Sequence, residues 1–301
     1  MPKSKPENLK PIQLQERDKL LVEALDDYGL LTTEQIRYLL FPSMSRARKR
    51  LHLLWQHGLV HKIERPTRLG EGTKSYLFRP NAKGRRLTGA KTIRNGNGHK
   101  VPVLSPLYAE HQIAVNRFRI CLTLALGKTP EITLETWKKD GQLRLKVSRH
   151  KAGGSESATI VPDAYFSLKS EGSKYGYFLE IDRGTATISR LKKKLLGYAT
   201  IFRSPRSFDP LIAPGFRVLI VTSSARRRQS LLELIQSMGT SLRRSDVFLV
   251  TNSAQFSYEA PEALFGPVWN TILADGRMQN SLTLHPVFSS SRQRQEKPPV
   301  R

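Results

Sequence analysis

Residues 161–198, VPDAYFSLKSEGSKYGYFLEIDRGTATISRLKKKLLGY, constrain the chain more than any other stretch. They begin as a predicted β-hairpin: VPDAYFSL, a polar turn over residues 170–174, then YGYFLEID. Alternation along the second strand sets Tyr177, Leu179 and Ile181 on one face and Phe178, Glu180 and Asp182 on the other. Two carboxylates at the end of an apolar strand are costly to place there without a partner. The hairpin carries Asp163, near the start of the neighbouring strand, toward both of them. Three oxygen donors converging on one point suit magnesium or manganese. A helix predicted over residues 189–202 opens with Lys192, Lys193 and Lys194, one of whose ammonium groups could lean back over the acids. Acids holding a metal, with a lysine near a scissile phosphate, are the minimal kit for metal-assisted phosphodiester hydrolysis. The same residues, with Arg183 beside them, also describe a plain surface ion-pair cluster.

Charge narrows the class of partner. Fifty Lys and Arg stand against 25 Asp and Glu, a formal net charge of +25 in 301 residues. A field of that size attracts polyanions, and nucleic acid is the leading candidate. The competing anionic membrane surface finds no long apolar span or lipidation signal in the sequence. The first 20 residues carry charges of both signs and no apolar leader core, so the expected location is the cytoplasm. The single cysteine, Cys121, excludes a disulfide framework and a thiol-built zinc site.

The first 80 residues supply a candidate interface for that polyanion. After a polar start, apolar spacing predicts a helix over residues 14–28, with Leu21, Ala24, Leu25 and Tyr28 on one side and Gly29 as its stop. In LLTTEQIRYLLF, Thr32 and Gln35 form a capping box for a second helix. Pro42 ends that helix, and SRARKRLHLLWQHG makes a third, with Ala47, Leu51, Leu54 and Trp55 as the buried stripe. LVHKIERP and KSYLFRP then form a short hairpin. Three helices followed by a hairpin describe a winged helix-turn-helix over residues 12–80. Its third helix would enter the major groove and its hairpin would lie along the backbone or minor groove. Residues 43–100 hold 15 Lys and Arg against two acids, Glu64 and Glu71. Candidate DNA contacts are Arg46, Arg48, Lys49 and Arg50 on the helix, with Arg65, Arg68 and Lys74 on the hairpin. The same fold also serves as a protein-binding module.

Residues 81–103, glycine-rich and basic, read as a linker. The second domain is expected over residues 104–255, opening with a helix over 107–126 whose first turns carry Glu110 and His111. A lone histidine there is read as a surface or hydrogen-bonded residue in preference to a ligand. Strands are predicted at 131–137 and 143–147, then the hairpin and lysine-rich helix, a buried strand at 216–222, a helix at 225–238 and a strand at 247–251. That order is an α/β (α+β overall) layer architecture with a mixed sheet. Residues 256–301 are read as a C-terminal extension with a disordered tail.

Two nested resemblances follow from these residues. The αβββαβ order with acids at Asp163 and Glu180 resembles the PD-(D/E)XK, restriction-endonuclease-like superfamily. More narrowly, VPDAYF, FLEIDRGT and KLLGY behind a winged helix resemble the replication-relaxation family of bacterial plasmids and mobile elements. The resemblance implies Asp163 and Glu180 as ligands of Mg²⁺ or Mn²⁺, Glu110 as a further acid from the first helix, and Lys194 as transition-state stabiliser. Asp182 stands where the superfamily usually has its lysine. It is either a further ligand or water-positioning acid, or the mark of a domain that has lost cleavage. The function implied is DNA binding in plasmid replication, relaxation or mobilisation, with metal-dependent nicking. Double-stranded DNA, a relaxase or replication protein, and a second copy of the chain are the implied partners, with no membrane. The alternative is a non-catalytic DNA-binding regulator or replication accessory factor. Tyr198 as a covalent relaxase nucleophile is set aside, because the site lacks clustered metal-binding histidines.

Overall fold

The computed structural model describes residues 11–65, 75–89, 105–151, 154–203, 208–209, 211–213, 215–242 and 244–282. The chain is a mixed α/β protein that divides into two compact units, Met1–Ile120 and Cys121–Arg301.

In the first unit, α1 (Glu16–Tyr28) buries Leu21, Val22, Leu25 and Tyr28 and ends at Gly29, whose φ of 75° suits glycine. A two-residue strand, β1 (Leu31–Thr32), leads into α2 (Thr33–Leu40). The expected capping box is formed: Gln35 N donates to Thr32 Oγ1 at 3.1 Å, and Thr32 N donates to Gln35 Oε1 at 3.0 Å. Ser43 caps α3 (Met44–Gln56), which buries Ala47, Leu51 and Leu54. Trp55, expected in that stripe, is instead 36% exposed. Helical geometry places it a full turn beyond Leu51, and the Lys62 ammonium of the following strand lies 4.8 Å from its ring. The strands β2 (Val60–Ile63) and β3 (Leu77–Pro80) pair antiparallel, and β3 lies centrally in the order β1-β3-β2.

Part of the expected linker is structured. Asn81 caps a short helix, α4 (Ala82–Arg85), whose Gly84 N donates to Asn81 Oδ1 at 2.7 Å. Arg85 pairs with Asp26 at 2.7 Å, binding this segment to α1. The long helix α5 (Pro106–Leu126) does not simply open the second unit, because the boundary falls within it. Its first part is held in the first unit by Asn116 Nδ2, which donates to Leu30 O at 2.5 Å, and by Gln35 Nε2, which donates to Ile113 O at 2.9 Å.

The second unit is built on a seven-stranded sheet of order β12-β11-β10-β9-β8-β7-β4. Its members are β4 (Thr133–Lys139), β7 (Ala164–Ser170), β8 (Ser173–Asp182), β9 (Arg217–Thr222), β10 (Phe248–Asn252), β11 (Trp269–Ile272) and β12 (Met278–Leu282). The strands β8, β9 and β10 run parallel and every other pairing is antiparallel. The strand expected near residue 143 does not join this sheet. As β5 (Leu145–Lys151) it pairs with β6 (Gly154–Ile160) in a separate hairpin. Residues 256–282, read from sequence as an extension, supply β11 and β12 of the main sheet. The tail after residue 282 lies outside the described residues.

Helices α6 (Ile188–Arg203) and α7 (Ala225–Met238) share one core with the sheet. Leu195, Tyr198 and Ile201 of α6 and Leu231 and Ile235 of α7 meet Phe178, Val218, Ile220, Phe248 and Val250. Phe178, Glu180 and Asp182 alternate along one face of β8, so the acids continue a row that begins in this core. Leu145, Val147 and Ile160 of the small hairpin join the same cluster.

Candidate functional site

Strand pairing fixes the first acid against the second. Ala164 lies opposite Leu179, and Asp163 N donates to Leu179 O at 3.2 Å. The Asp163 carboxylate accepts from Ile181 N at 2.6 Å, which holds it beside Glu180 at the open end of the β7–β8 ladder. Glu180 is buried and both of its oxygens are engaged: Oε2 accepts from Lys194 Nζ and Oε1 from the Tyr198 hydroxyl. Lys194 and Tyr198 are four residues apart on α6, hence on one face, and one carboxylate can receive both.

Burial pushes Glu180 up to about 7; Lys194 opposes the shift, and the neighbouring Asp163 charge adds to it. Burial also works against the Lys194 ammonium, but Glu180 and Asp163 outweigh it and hold that group above the ordinary lysine range. Burial raises the Tyr198 hydroxyl well above its ordinary value, with Glu180 adding to it, so it remains a donor. Toward solvent, α6 carries exposed Arg190, Lys192 and Lys193.

The other two acids expected at this point have different partners. Asp182 Oδ2 accepts from Arg227 Nε at 2.6 Å and its Oδ1 from Gly184 N at 3.0 Å. Glu110 receives Arg65 at 2.5 Å in the first unit. Among the described residues, no group of three or more His, Cys, Asp or Glu side chains is placed to hold a metal ion. The carboxylates that come together are Asp163 and Glu180. Two hard oxygen donors, with the remaining positions left to water, are a set that a small divalent cation can use.

In the first unit, Arg46, Arg48 and Lys49 are exposed on α3, as a nucleic-acid contact requires. Arg50 is not: its Nε donates to the buried Asp18 at 2.7 Å and it ties α3 to α1. Arg65 is the partner of Glu110. Arg68 and Lys74 lie outside the described residues. Between α3 and the hairpin opens a cleft of about 520 Å³ lined by Arg48, His52, Lys62, Tyr76 and Phe78, among others. The Lys62 ammonium sits 3.6 Å from the Tyr76 ring.

Sequence reasoning did not find the roles of Tyr198 and Arg227. The spacing of Lys194 and Tyr198 in KLLGY could have shown the first. Arg227 is separated from Asp182 by 45 residues and leaves no local signal.

A basic helical unit and an α/β unit carrying an acid–lysine site define a two-part chain of one class. It belongs to the replication-relaxation family, whose model matches residues 22–210. That span includes Asp163, Glu180, Lys194 and Tyr198 and stops before Arg227. No curated protein and no solved structure gives a significant match. Among the described residues, no helix is long and apolar enough to cross a membrane.

Proposed function

We propose that this protein binds DNA and acts in the replication or relaxation of plasmids or mobile elements, with an acid–lysine site able to nick the bound strand. The observation that carries the reading is the meeting of Asp163, Glu180 and Lys194 at the end of a β-hairpin and the face of the next helix. The order α5, β4, β7, β8, α6, β9 in the main sheet and its flanking helices supports a PD-(D/E)XK-type domain. The order α1, β1, α2, α3, β2, β3, with a three-stranded antiparallel sheet, supports a winged helix-turn-helix. Fold alone does not give activity; the site residues carry it.

In this reading Asp163 and Glu180 hold Mg²⁺ or Mn²⁺. The bound cation supplies Lewis-acid polarisation of a phosphodiester and acidifies a water. Lys194 hydrogen-bonds Glu180 in the free protein and is placed to turn its ammonium to a non-bridging phosphate oxygen as charge builds there. The exposed cations of α6 draw the backbone in, and Arg46, Arg48 and Lys49 of α3 dock the adjoining duplex. Asp182, paired with Arg227, holds the turn that feeds α6 and so positions Lys194.

Supercoiled plasmid incubated with the protein and Mg²⁺ or Mn²⁺ tests this. Nicked product is expected from the wild type and none from Glu180→Gln, with duplex binding kept by both. A second reading, a non-catalytic DNA-binding factor, is favoured by the capping of both Glu180 oxygens. It predicts a duplex mobility shift from both proteins and nicked product from neither.

A further inference from the structure

The two partners of Glu180 differ in freedom. Tyr198 is 1% exposed, and its ring packs 5.1 Å from the fully buried Phe178 ring. Its helix is pressed onto the small hairpin, where Gly197 lies against Ile160 and Val147. The hydroxyl therefore cannot leave Oε1 without disturbing the core. Lys194 reaches Oε2 on a flexible four-carbon stem, and its side chain is 27% exposed. One oxygen carries a fixed hydrogen bond and the other a removable one.

We infer that Tyr198 is a positioning residue that reserves Oε1 of Glu180 and leaves Oε2 alone to a divalent cation, so that the site selects a small octahedral ion over calcium. The inference rests on the metal-binding reading of Asp163 and Glu180. Calcium gains from bidentate carboxylates and flexible coordination, whereas magnesium requires near-ideal octahedral geometry and takes few protein ligands. A carboxylate with one oxygen held by a packed phenol offers calcium no chelate. Removing the hydroxyl while keeping the ring releases Oε1 and makes chelation available.

The test uses the full chain and Mn²⁺, with free ion read by electron paramagnetic resonance and displaced by Mg²⁺ or Ca²⁺. Glu180→Gln should abolish Mn²⁺ binding, leaving the free-ion signal undiminished, and so assign the binding to this site. In Tyr198→Phe, the preference for Mg²⁺ over Ca²⁺ should fall by about tenfold, mostly through tighter Ca²⁺ binding. Lys194→Met should strengthen both ions alike and leave their ratio unchanged. An unchanged ratio in Tyr198→Phe, with Mn²⁺ still bound by the wild type, overturns the role of Tyr198 and spares the metal site. Absence of Mn²⁺ binding in the wild type overturns the site itself. If Tyr198→Phe does not fold, Lys194→Met decides, because a shift in its ratio contradicts the division of labour between the two oxygens.

Discussion

Arg227 and Asp182 join the first turn of α7 to the end of β8. The guanidinium donates to the carboxylate at 2.6 Å and, through a second nitrogen, to Ala186 O at 2.9 Å. Asp182 is buried, and Arg227 is its charged partner. Arg227→Ala leaves the carboxylate charge uncompensated and frees the turn of residues 183–187. The expected loss is about 3–5 kcal/mol of folding stability, measured by urea denaturation. Arg227→Lys keeps one charge without the second donor, and its loss should be smaller.

The sequence carried the elements around the site better than it carried their partners. Period two along YGYFLEID assigned Glu180 and Asp182 to one face, and the capping box at Thr32 and Gln35 is formed as expected. Apolar pattern revealed what packs on both sides of a core and passed over what is held by ladder hydrogen bonds. β6, with the sequence GSESATI, and β12, with MQNSL, are polar sheet-edge or hairpin strands and show no apolar alternation. Side-chain pairing was legible only at short range. Lys194 and Glu180 are 14 residues apart, whereas the 45 between Asp182 and Arg227, and between Glu110 and Arg65, hid the partners that take those acids away from Asp163.

Glu180 gives the metal-free protein a pH dependence with a definite sign. Its carboxyl titrates near 4.5 in the unfolded chain and near 7 in the folded one. A raised folded value means stability that is fully present below about 4.5 and is lost as pH rises through about 7. The contribution is at most about 3 kcal/mol. Thermal melts of the wild type without divalent cations should therefore carry a downward component across that interval. Glu180→Gln, which cannot ionise, should lack it. Parallel wild-type and variant profiles would count against the burial argument.

Gly197 marks a close approach between α6 and the β5–β6 hairpin. A Cβ at that position would lie 2.7 Å from Ile160 Cγ1 and 3.6 Å from Val147 Cγ2, inside the core. Gly197→Val should cost about 1–3 kcal/mol by overpacking, read as a lower denaturation midpoint. Ile160→Ala removes the obstructing atoms and on its own leaves a cavity. Combined with Gly197→Val it should recover part of the loss, so that the double variant is more stable than the two separate costs would sum to.

Neighbouring arginines on α3 should separate binding from folding. Arg48 is exposed and lines the cleft against the hairpin, whereas Arg50 is bonded to Asp18, which is 1% exposed. If α3 faces the duplex, Arg48→Ala weakens DNA affinity and lowers the salt dependence of binding by about one unit of slope, because one fewer phosphate counterion is released. Its melting temperature should stay near that of the wild type. Arg50→Ala should do the reverse at the level of the fold, costing about 3–5 kcal/mol through the stranded Asp18 charge. Fluorescence anisotropy with a labelled duplex across a salt series, alongside thermal melts of both variants, reads the two effects independently. A salt slope unchanged in Arg48→Ala would remove that residue from the DNA interface. A normal melting temperature in Arg50→Ala would mean that the buried Asp18 does not depend on Arg50 for the stability of the fold.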